Sequence, residues 1–279
     1  MIEHGCAKVE VIKHSISPEG IKLVTLQARY PRMIHAELLT HRIFSKNGRS
    51  SRAVPTLTLL QEDPYYPIFQ KNQPGMSAGE VLDDEDQAKA RDVWERMIKV
   101  CDTGAKALKR IGVHKQWANR PTEWFGYIDV LISTTGLKNF VSLRDDDDAQ
   151  PEMRDLAKGI IRATEEVGPT KVSLGEWHLP YITDDEQEEY SIDILRKISV
   201  ARCARVSYKP FDGNGNVESE LERYSKLVES RPVHASPTEH VATPDTLVYK
   251  NVWAYPEQHR NYKGWRQFRA TLPGETMED

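Results

Sequence analysis

Cysteine is scarce: Cys6, Cys101 and Cys203 are the three in 279 residues. An odd number so widely spaced supports neither a disulfide framework nor a Cys-x-x-Cys zinc clip, so a reducing compartment is expected. No apolar run approaches the roughly 20 residues a membrane helix requires, and the opening MIEHGCAKVEVIKH lacks the apolar stretch of a signal peptide. These absences lead to the expectation of a soluble cytoplasmic chain without membrane contact. Internal repeats are also missing, and no composition shift marks a linker. With 39% hydrophobic and 29% charged residues, disorder and coiled coil are poor descriptions. One elaborated α/β domain over residues 1–279 is expected instead.

The net charge of −4 hides a contrast, because residues 29–54 carry six cations and one anion, +5 in all, which leaves −9 elsewhere. A nucleic-acid-binding surface shows a broader basic excess. The local excess favours a small phosphorylated ligand, and no nucleic-acid polymer is expected as a partner.

Residues 21–27 alternate apolar and polar as a half-buried strand does, and Pro31 suits the first turn of a helix running to about Ser45, where Asn47-Gly48 breaks it. Residues 55–61 read as a short helix, and 64–75, with prolines at 64, 67 and 74, as a loop. Between 81 and 111, Val93, Met97, Cys101, Ala105 and Leu108 recur at spacings of three and four, with Gly112 as a stop. That pattern predicts a long helix with one buried face and Trp94 packed on it. Residues 127–134 read as a strand, and Pro151 starts a helix behind the acidic turn 145–148. Residues 167–189 lack periodicity and are expected to form an inserted loop or hairpin around Trp177-His178-Leu179-Pro180. Residues 192–208 and 217–229 read as helices split by the turn 212–215.

Two clusters invite chemistry. In the segment from His41 to Arg52, cations, serines and the turn pair Asn47-Gly48 are interleaved. Arginine forks, hydroxyls and a backbone able to bend close to a ligand make a phosphate cradle, with a solvated basic helix end as the plainer alternative. The second cluster, His234-Ala235-Ser236-Pro237-Thr238-Glu239-His240, suggests zinc. Pro237, however, breaks any helix that would align the imidazoles at i and i+4, so a hydrogen-bonded structural histidine is favoured and no metal site is expected. Consecutive aspartates at 145–148 cannot all converge on one ion, and a solvated helix start accounts for them.

These residues resemble the flavin-dependent thymidylate synthases, whose signature is Arg-His-Arg, seven residues, Ser, and Arg two positions later. Here it reads Thr40-His41-Arg42, Ser50 and Arg52. His234-x-Ser236-Pro237-x-Glu239-His240 is similar to that family's flavin-contacting His-x-Ser/Thr-Pro-x-Glu-His, and Asn139-Phe140, Leu143-Arg144 and Ala149-Gln150-x-Glu152 to a later stretch. The resemblance covers a core of residues 20–160 and 195–245, leaving 161–194 as an insertion and 246–279 as a C-terminal extension. Its order is unusual, since the histidine-proline element ordinarily precedes the arginine signature. The layout looks circularly permuted and most similar to bacteriophage members, and it requires Glu239 to lie near the strand starting at Ile21.

The resemblance implies an α/β (α+β) fold with long helices on a central sheet, and transfer of a one-carbon unit from methylene-tetrahydrofolate to carbon 5 of dUMP. FAD would carry hydride, with NADPH as reductant, in a homotetramer with shared sites. By the same resemblance, Arg42, Ser50, Arg52 and Arg144 are the catalytic set. Glu37, Arg49 and Asn119 join them around the nucleotide, and Thr40, His41, Arg42, Asn139, His234, Ser236 and Glu239 hold the flavin. Arg205 is a weaker candidate for ligand contact, and no cysteine nucleophile is needed. The departures are Thr40 for the first arginine, Gly48 and Arg49 where glutamate precedes the serine, Glu37 for glutamine, Asn119 for an arginine, and Ser133-Thr134-Thr135 for Asn-Ala-Arg. They leave three alternatives: a methylase or hydroxymethylase of dCMP or dUMP for phage DNA modification, a nucleotide-binding protein without turnover, and a zinc hydrolase on His234 and His240. Cys203 is expected to be buried, and residues 264–269 to cover a neighbouring subunit or touch a ligand.

Overall fold

The structure, a computed structural model, describes residues 1–207 and 215–275. Its centre is a sheet of six strands: β1 (Ile2–His4), β2 (Ala7–Ile16), β3 (Lys22–Pro31), β4 (Ser45–Gly48), β5 (Tyr127–Thr134) and β6 (Thr170–Lys171). The order is β1-β2-β3-β5-β4 with antiparallel neighbours, and β6 runs parallel beside β2. The helices are α1 (His35–Leu39), α2 (Thr56–Leu59), α3 (Asp84–Arg110), α4 (Lys115–Ala118), α5 (Leu137–Arg144), α6 (Pro151–Glu166), α7 (Asp184–Glu189), α8 (Ile192–Ala204) and α9 (Val217–Tyr224).

Alternation along the strands divides the core into two layers, since successive side chains of a strand point to opposite faces. Val24, Leu26, Ala28 and Tyr30 of β3, with Ile128, Val130 and Ile132 of β5, face Met153, Leu156, Ala157 and Ile160 of α6. Each such side chain, removed from water, contributes about 1.5–3 kcal/mol. The opposite face carries Leu131, packed on Cys203 and Val206, and Leu23, packed on Trp265. Burial of Cys203 is therefore as expected.

The long helix starts where the Asp83 side chain accepts a hydrogen bond from Asp86 N–H at 2.9 Å and stops at Gly112, whose φ of +85° suits glycine. Its buried face is only partly the one the spacing predicts, with Ala105 buried and Cys101 and Leu108 half-buried. Ile98 and Ala105 are buried and Trp94 donates to the Tyr65 carbonyl, whereas Val93, Met97 and Val100 are exposed. The periodicity mixed an inner and an outer stripe. A second correction concerns residues 31–45: a 3₁₀ turn at Arg32–Ile34 leads into α1, which ends at Leu39, and Ser45–Gly48 pairs with β5 as an edge strand. Ladder bonds to β5 override the helical reading, and Asn-Gly is a poor helix former.

Residues 167–189 are not a free-standing insertion. His178 is fully buried, exchanges backbone hydrogen bonds with Ala242, and lies between the sheet and Trp265. Trp265–Gln267 forms a strand paired with Ala242–Pro244. Trp265, Gln267 and Phe268 are buried within this same chain, which corrects the expected tail over a neighbour. Helix α8 passes into a 3₁₀ turn at Arg205–Ser207; the expected helix end at 208 and most of the turn 212–215 lie outside the described residues. Among the described residues no helix is long and apolar enough to cross a membrane.

Candidate functional site

Edge strand β4 is the axis of the site, because the arginine signature runs onto it and leaves it again. At its start, the turn after α1 buries His41 against Phe44 and, edge-on at 4.9 Å, Phe140 of α5. The spacing on α5 puts Phe140 and Arg144 on one face, four residues apart, so Arg144 Nε donates to His41 Nε2 at 3.1 Å. His41 is thereby an acceptor at Nε2, and burial, then the Arg144 and Lys46 charges, push its pKa down. The two terminal nitrogens of Arg144 make no bond within the described residues and form an available fork.

Lys46, absent from the candidate list, joins the two motifs. Its ammonium donates to the His41 carbonyl at 2.7 Å. Burial lowers its pKa while the nearby Glu239 carboxylate works the other way. Lys46 is therefore held on the His41 backbone and lies within electrostatic range of Glu239, without an ion pair between them. The turn Ser236–His240 packs over β4, and His240 Nδ1 lies 2.8 Å from Ser133 Oγ, itself 2.6 Å from Thr25 Oγ1 of β3. The two stretches that the permuted order requires to be neighbours are neighbours. Glu239 is fixed by Arg269 at 2.5 Å.

At the far end of β4 the chain turns through Arg49, Ser50, Ser51 and Arg52. Arg49 is not free for a ligand: it forms a fork with Glu62 at 2.5 and 3.0 Å and approaches Asp129 at 3.6 Å, while Arg29 bridges the same two carboxylates. Burial opposes the Arg49 charge, but Glu62 and Asp129 more than offset it and its pKa rises. Asn119, fully buried at the end of α4, donates to the carbonyls of Ser51 at 2.7 Å and Val54 at 3.0 Å. Both residues shape the loop that presents Ser50 and Arg52. Ser50 makes no side-chain bond, and the Arg42 and Arg52 guanidiniums are exposed without a partner among the described residues. Thr40 is exposed and donates to the Glu37 carbonyl at 2.7 Å. Glu37 is half-buried, and Asn139 is exposed on α5 without a side-chain partner.

His234 and Ser236 do not meet the His41 end directly. They line an open cleft of about 630 Å³ with Asn47 of β4, Arg205, Ser219, Glu222, Arg223 and Lys226. Arg205 and Arg223 both pair with Glu220, and Lys226 with Glu222, so the cleft wall is a rim of paired charges around an imidazole and two hydroxyls. His234 and His240 point to different tasks, one exposed and one buried, and the described residues contain no group of three metal-capable side chains. Lys46, Arg223 and Lys226 were not singled out from the sequence, and Asn47 was read there only as half of a turn pair; the strand geometry gives Lys46 and Asn47 their direction.

A family model described as "Thymidylate synthase complementing protein" matches residues 14–170. That span holds β3, β4, β5, the arginine signature and Arg144, and stops short of the 234–240 element. A "Flavin-dependent thymidylate synthase" from Pseudothermotoga lettingae is 27% identical over 155 residues, 55% of this chain and 66% of the relative. Among solved structures, the UMP/dUMP methylase PolB from Streptomyces cacaoi bound with 5-Br UMP aligns at 18% identity and TM-score 0.49, covering 58% of this chain and 90% of that one. The same methylase bound with 5-Br dUMP aligns at 18% identity and TM-score 0.46, covering 58% of this chain and 92% of that one.

Proposed function

The chain belongs to the thymidylate synthase complementing protein family, and from that premise we propose that it transfers a one-carbon unit from methylene-tetrahydrofolate to carbon 5 of dUMP, giving dTMP. The observation that carries this reading is the arrangement about β4: Arg42, Ser50 and Arg52 of the signature, without side-chain partners among the described residues, and the fork of Arg144 held on His41.

The donor set of the neighbouring cleft suits FAD. Arg205, Arg223 and Lys226, against the two carboxylates of Glu220 and Glu222 that they pair with, leave one net positive charge for a diphosphate, Ser219 and Ser236 offer hydroxyls, and His234 offers a flat polar ring. When bound, the flavin supplies the hydride chemistry, with NADPH as reductant. The chain itself binds and orients. Arg52 and Arg42 neutralise a nucleotide phosphate, Ser50 donates a hydrogen bond to the nucleotide, and Arg144, its direction fixed by the bond to His41, polarises the pyrimidine. Arg49 and Asn119 act at one remove by holding the Ser50 loop. Glu239, its charge paired by Arg269, and His41, held by Arg144, would form the wall between nucleotide and cofactor.

Val93, Met97 and Val100 leave an apolar stripe on α3 that suits burial against another copy, and we assign the active form as a homotetramer with shared sites. An active, flavin-loaded monomer in sedimentation would refute that assignment. Incubation of purified protein with FAD, NADPH, methylene-tetrahydrofolate and either dUMP or dCMP, with product masses recorded, tests the reaction. Methylation of dUMP alone is expected. A product only from dCMP, or a hydroxymethyl mass, would replace this reading with the DNA-modification alternative. That alternative draws on Asn119, whose amide is turned into the Ser51 loop instead of toward a base.

A further inference from the structure

Behind the 236–240 turn runs a chain of five buried polar groups that no ligand-contact role accounts for. Ser15 Oγ lies 2.8 Å from His178 Nδ1, His178 Nε2 2.8 Å from Thr25 Oγ1, Thr25 Oγ1 2.6 Å from Ser133 Oγ, and Ser133 Oγ 2.8 Å from His240 Nδ1. All five residues are fully buried, and they come from β2, the 172–183 strap, β3, β5 and the 3₁₀ turn. His240 Nε2, also buried, has no partner among the described residues.

The hydrogen count restricts this chain. Burial keeps both imidazoles neutral, with His240 pushed down to about 3 and His178 well below its ordinary value. Each ring therefore carries one N–H, and each hydroxyl one O–H. A hydrogen must lie between Thr25 and Ser133 at their separation of 2.6 Å. If His240 Nδ1 donates to Ser133, the sense runs through Thr25 into His178 Nε2, and His178 Nδ1 donates to Ser15. If the sense reverses, Ser15 donates to His178 Nδ1, His178 Nε2 donates to Thr25, and Ser133 donates to His240 Nδ1. Both rings are Nδ1–H in the first case and Nε2–H in the second. Unlike tautomers leave either two lone pairs facing each other between the hydroxyls or an O–H with no acceptor among the five groups, for which Tyr262 Oη beside Ser133, itself donating to the Glu239 carbonyl, is the outlet.

We propose that these five groups form one tautomer-coupled relay in which His178 is a positioning residue for the turn 236–240. It fixes where the turn sits on the sheet and whether His240 Nε2 presents a lone pair or a hydrogen. The segment carrying His178 thereby acts on Ser236 and Glu239 without touching them. The effect on cofactor rests on the proposed reading of 234–239 as flavin contacts; the coupling of the rings does not.

The test uses full-length protein with ring-¹⁵N histidine, comparing wild type, Thr25→Val and Thr25→Ser by long-range ¹H–¹⁵N correlation, alongside FAD titration. In wild type, His178 and His240 are expected to share one tautomer. Thr25→Val, which touches neither atom of His240, is expected to shift the His240 ring nitrogens and weaken FAD binding about tenfold, and Thr25→Ser to restore both. Unlike tautomers in wild type overturn the proposal even if Thr25→Val does not fold. A His240 ring indifferent to Thr25→Val overturns the coupling, and unchanged FAD affinity beside shifted ring nitrogens overturns the positioning role. Wild type that binds no FAD removes the proposed cofactor instead, and the relay then stands or falls on the ring nitrogens alone.

Discussion

Replacing Asn119 by Asp removes a buried donor group that holds the Ser50 loop while keeping the shape of the side chain. In the native structure the amide gives two hydrogen bonds, 2.7 Å to Ser51 C=O and 3.0 Å to Val54 C=O, at a fully buried site. Ser51 C=O keeps a second bond from Val54 N–H at 3.3 Å, whereas Val54 C=O loses its side-chain partner. Two lost bonds at about 1 kcal/mol each, with one carbonyl left unsatisfied, give about 2–4 kcal/mol for Asn119→Ala. A carboxylate facing two carbonyl oxygens adds about 1–3 kcal/mol unless it takes up a proton. At about 2–4 °C per kcal/mol for a chain of this size, the melting temperature should fall by about 5–15 °C, more for Asp than for Ala. Melting is measured first without nucleotide, and dUMP affinity by calorimetry below the transition. Loss of dUMP affinity with an unchanged melting temperature would refute the argument, because it would make Asn119 a direct ligand contact, as the resemblance to the synthases implies.

Arg42→Ala and Arg52→Ala remove exposed, unpartnered guanidiniums. Each should leave stability within about 0.5 kcal/mol and weaken dUMP binding about ten- to a hundredfold; equal losses for nucleoside and nucleotide would contradict a phosphate role. His178 and His240 are neutral when folded and titrate near pH 6.5 when unfolded, so their contribution is complete above that pH and is lost as pH falls below it. Denaturant unfolding between pH 6 and 4 should show about 1.4 kcal/mol lost per pH unit for each of them, with a smaller slope in His240→Gln. An unaltered slope would mean that His240 is already protonated in the fold. In Gly264, φ is +68° and an added Cβ would lie 2.5 Å from Ile21 Cδ1 and 2.9 Å from Trp253 Cη2. Gly264→Ala should therefore cost about 2–4 kcal/mol in thermal or chemical unfolding, and a neutral result would show that the Trp265 strand is loosely held.

The two central strands were legible in the sequence. Residues 127–134 were read at their observed bounds, while β3 begins one residue after the expected start and runs on to Pro31, because burial on both faces extends the strand past the stretch of alternation. The stop of α3 at Gly112 was also legible, since glycine there has a local job. The buried face of that helix was legible only in part. An apolar stripe records only that water is disfavoured, and Val93, Met97 and Val100 are apolar yet stay exposed in this chain. Segment 45–48 misled for the opposite reason, because only its distant partner β5 makes it a strand. At the site, Arg42, Ser50, Arg52 and Arg144 could be named from motif spacing. The distinction between Arg52, which is free, and Arg49, which is locked to Glu62, depends on a residue 13 positions away and cannot be read from the motif. His178 showed no signal beyond its place among Trp177, Leu179 and Pro180, since its function depends on contacts more than a hundred positions away in sequence.

The most direct measurement is the visible absorption spectrum of the untagged protein, recorded alone, after saturation with FAD, and again after adding dUMP and dCMP separately. The account predicts that FAD is retained through gel filtration and that its bands move on addition of dUMP. A colourless protein that releases added FAD completely, or flavin bands indifferent to both nucleotides, would contradict it.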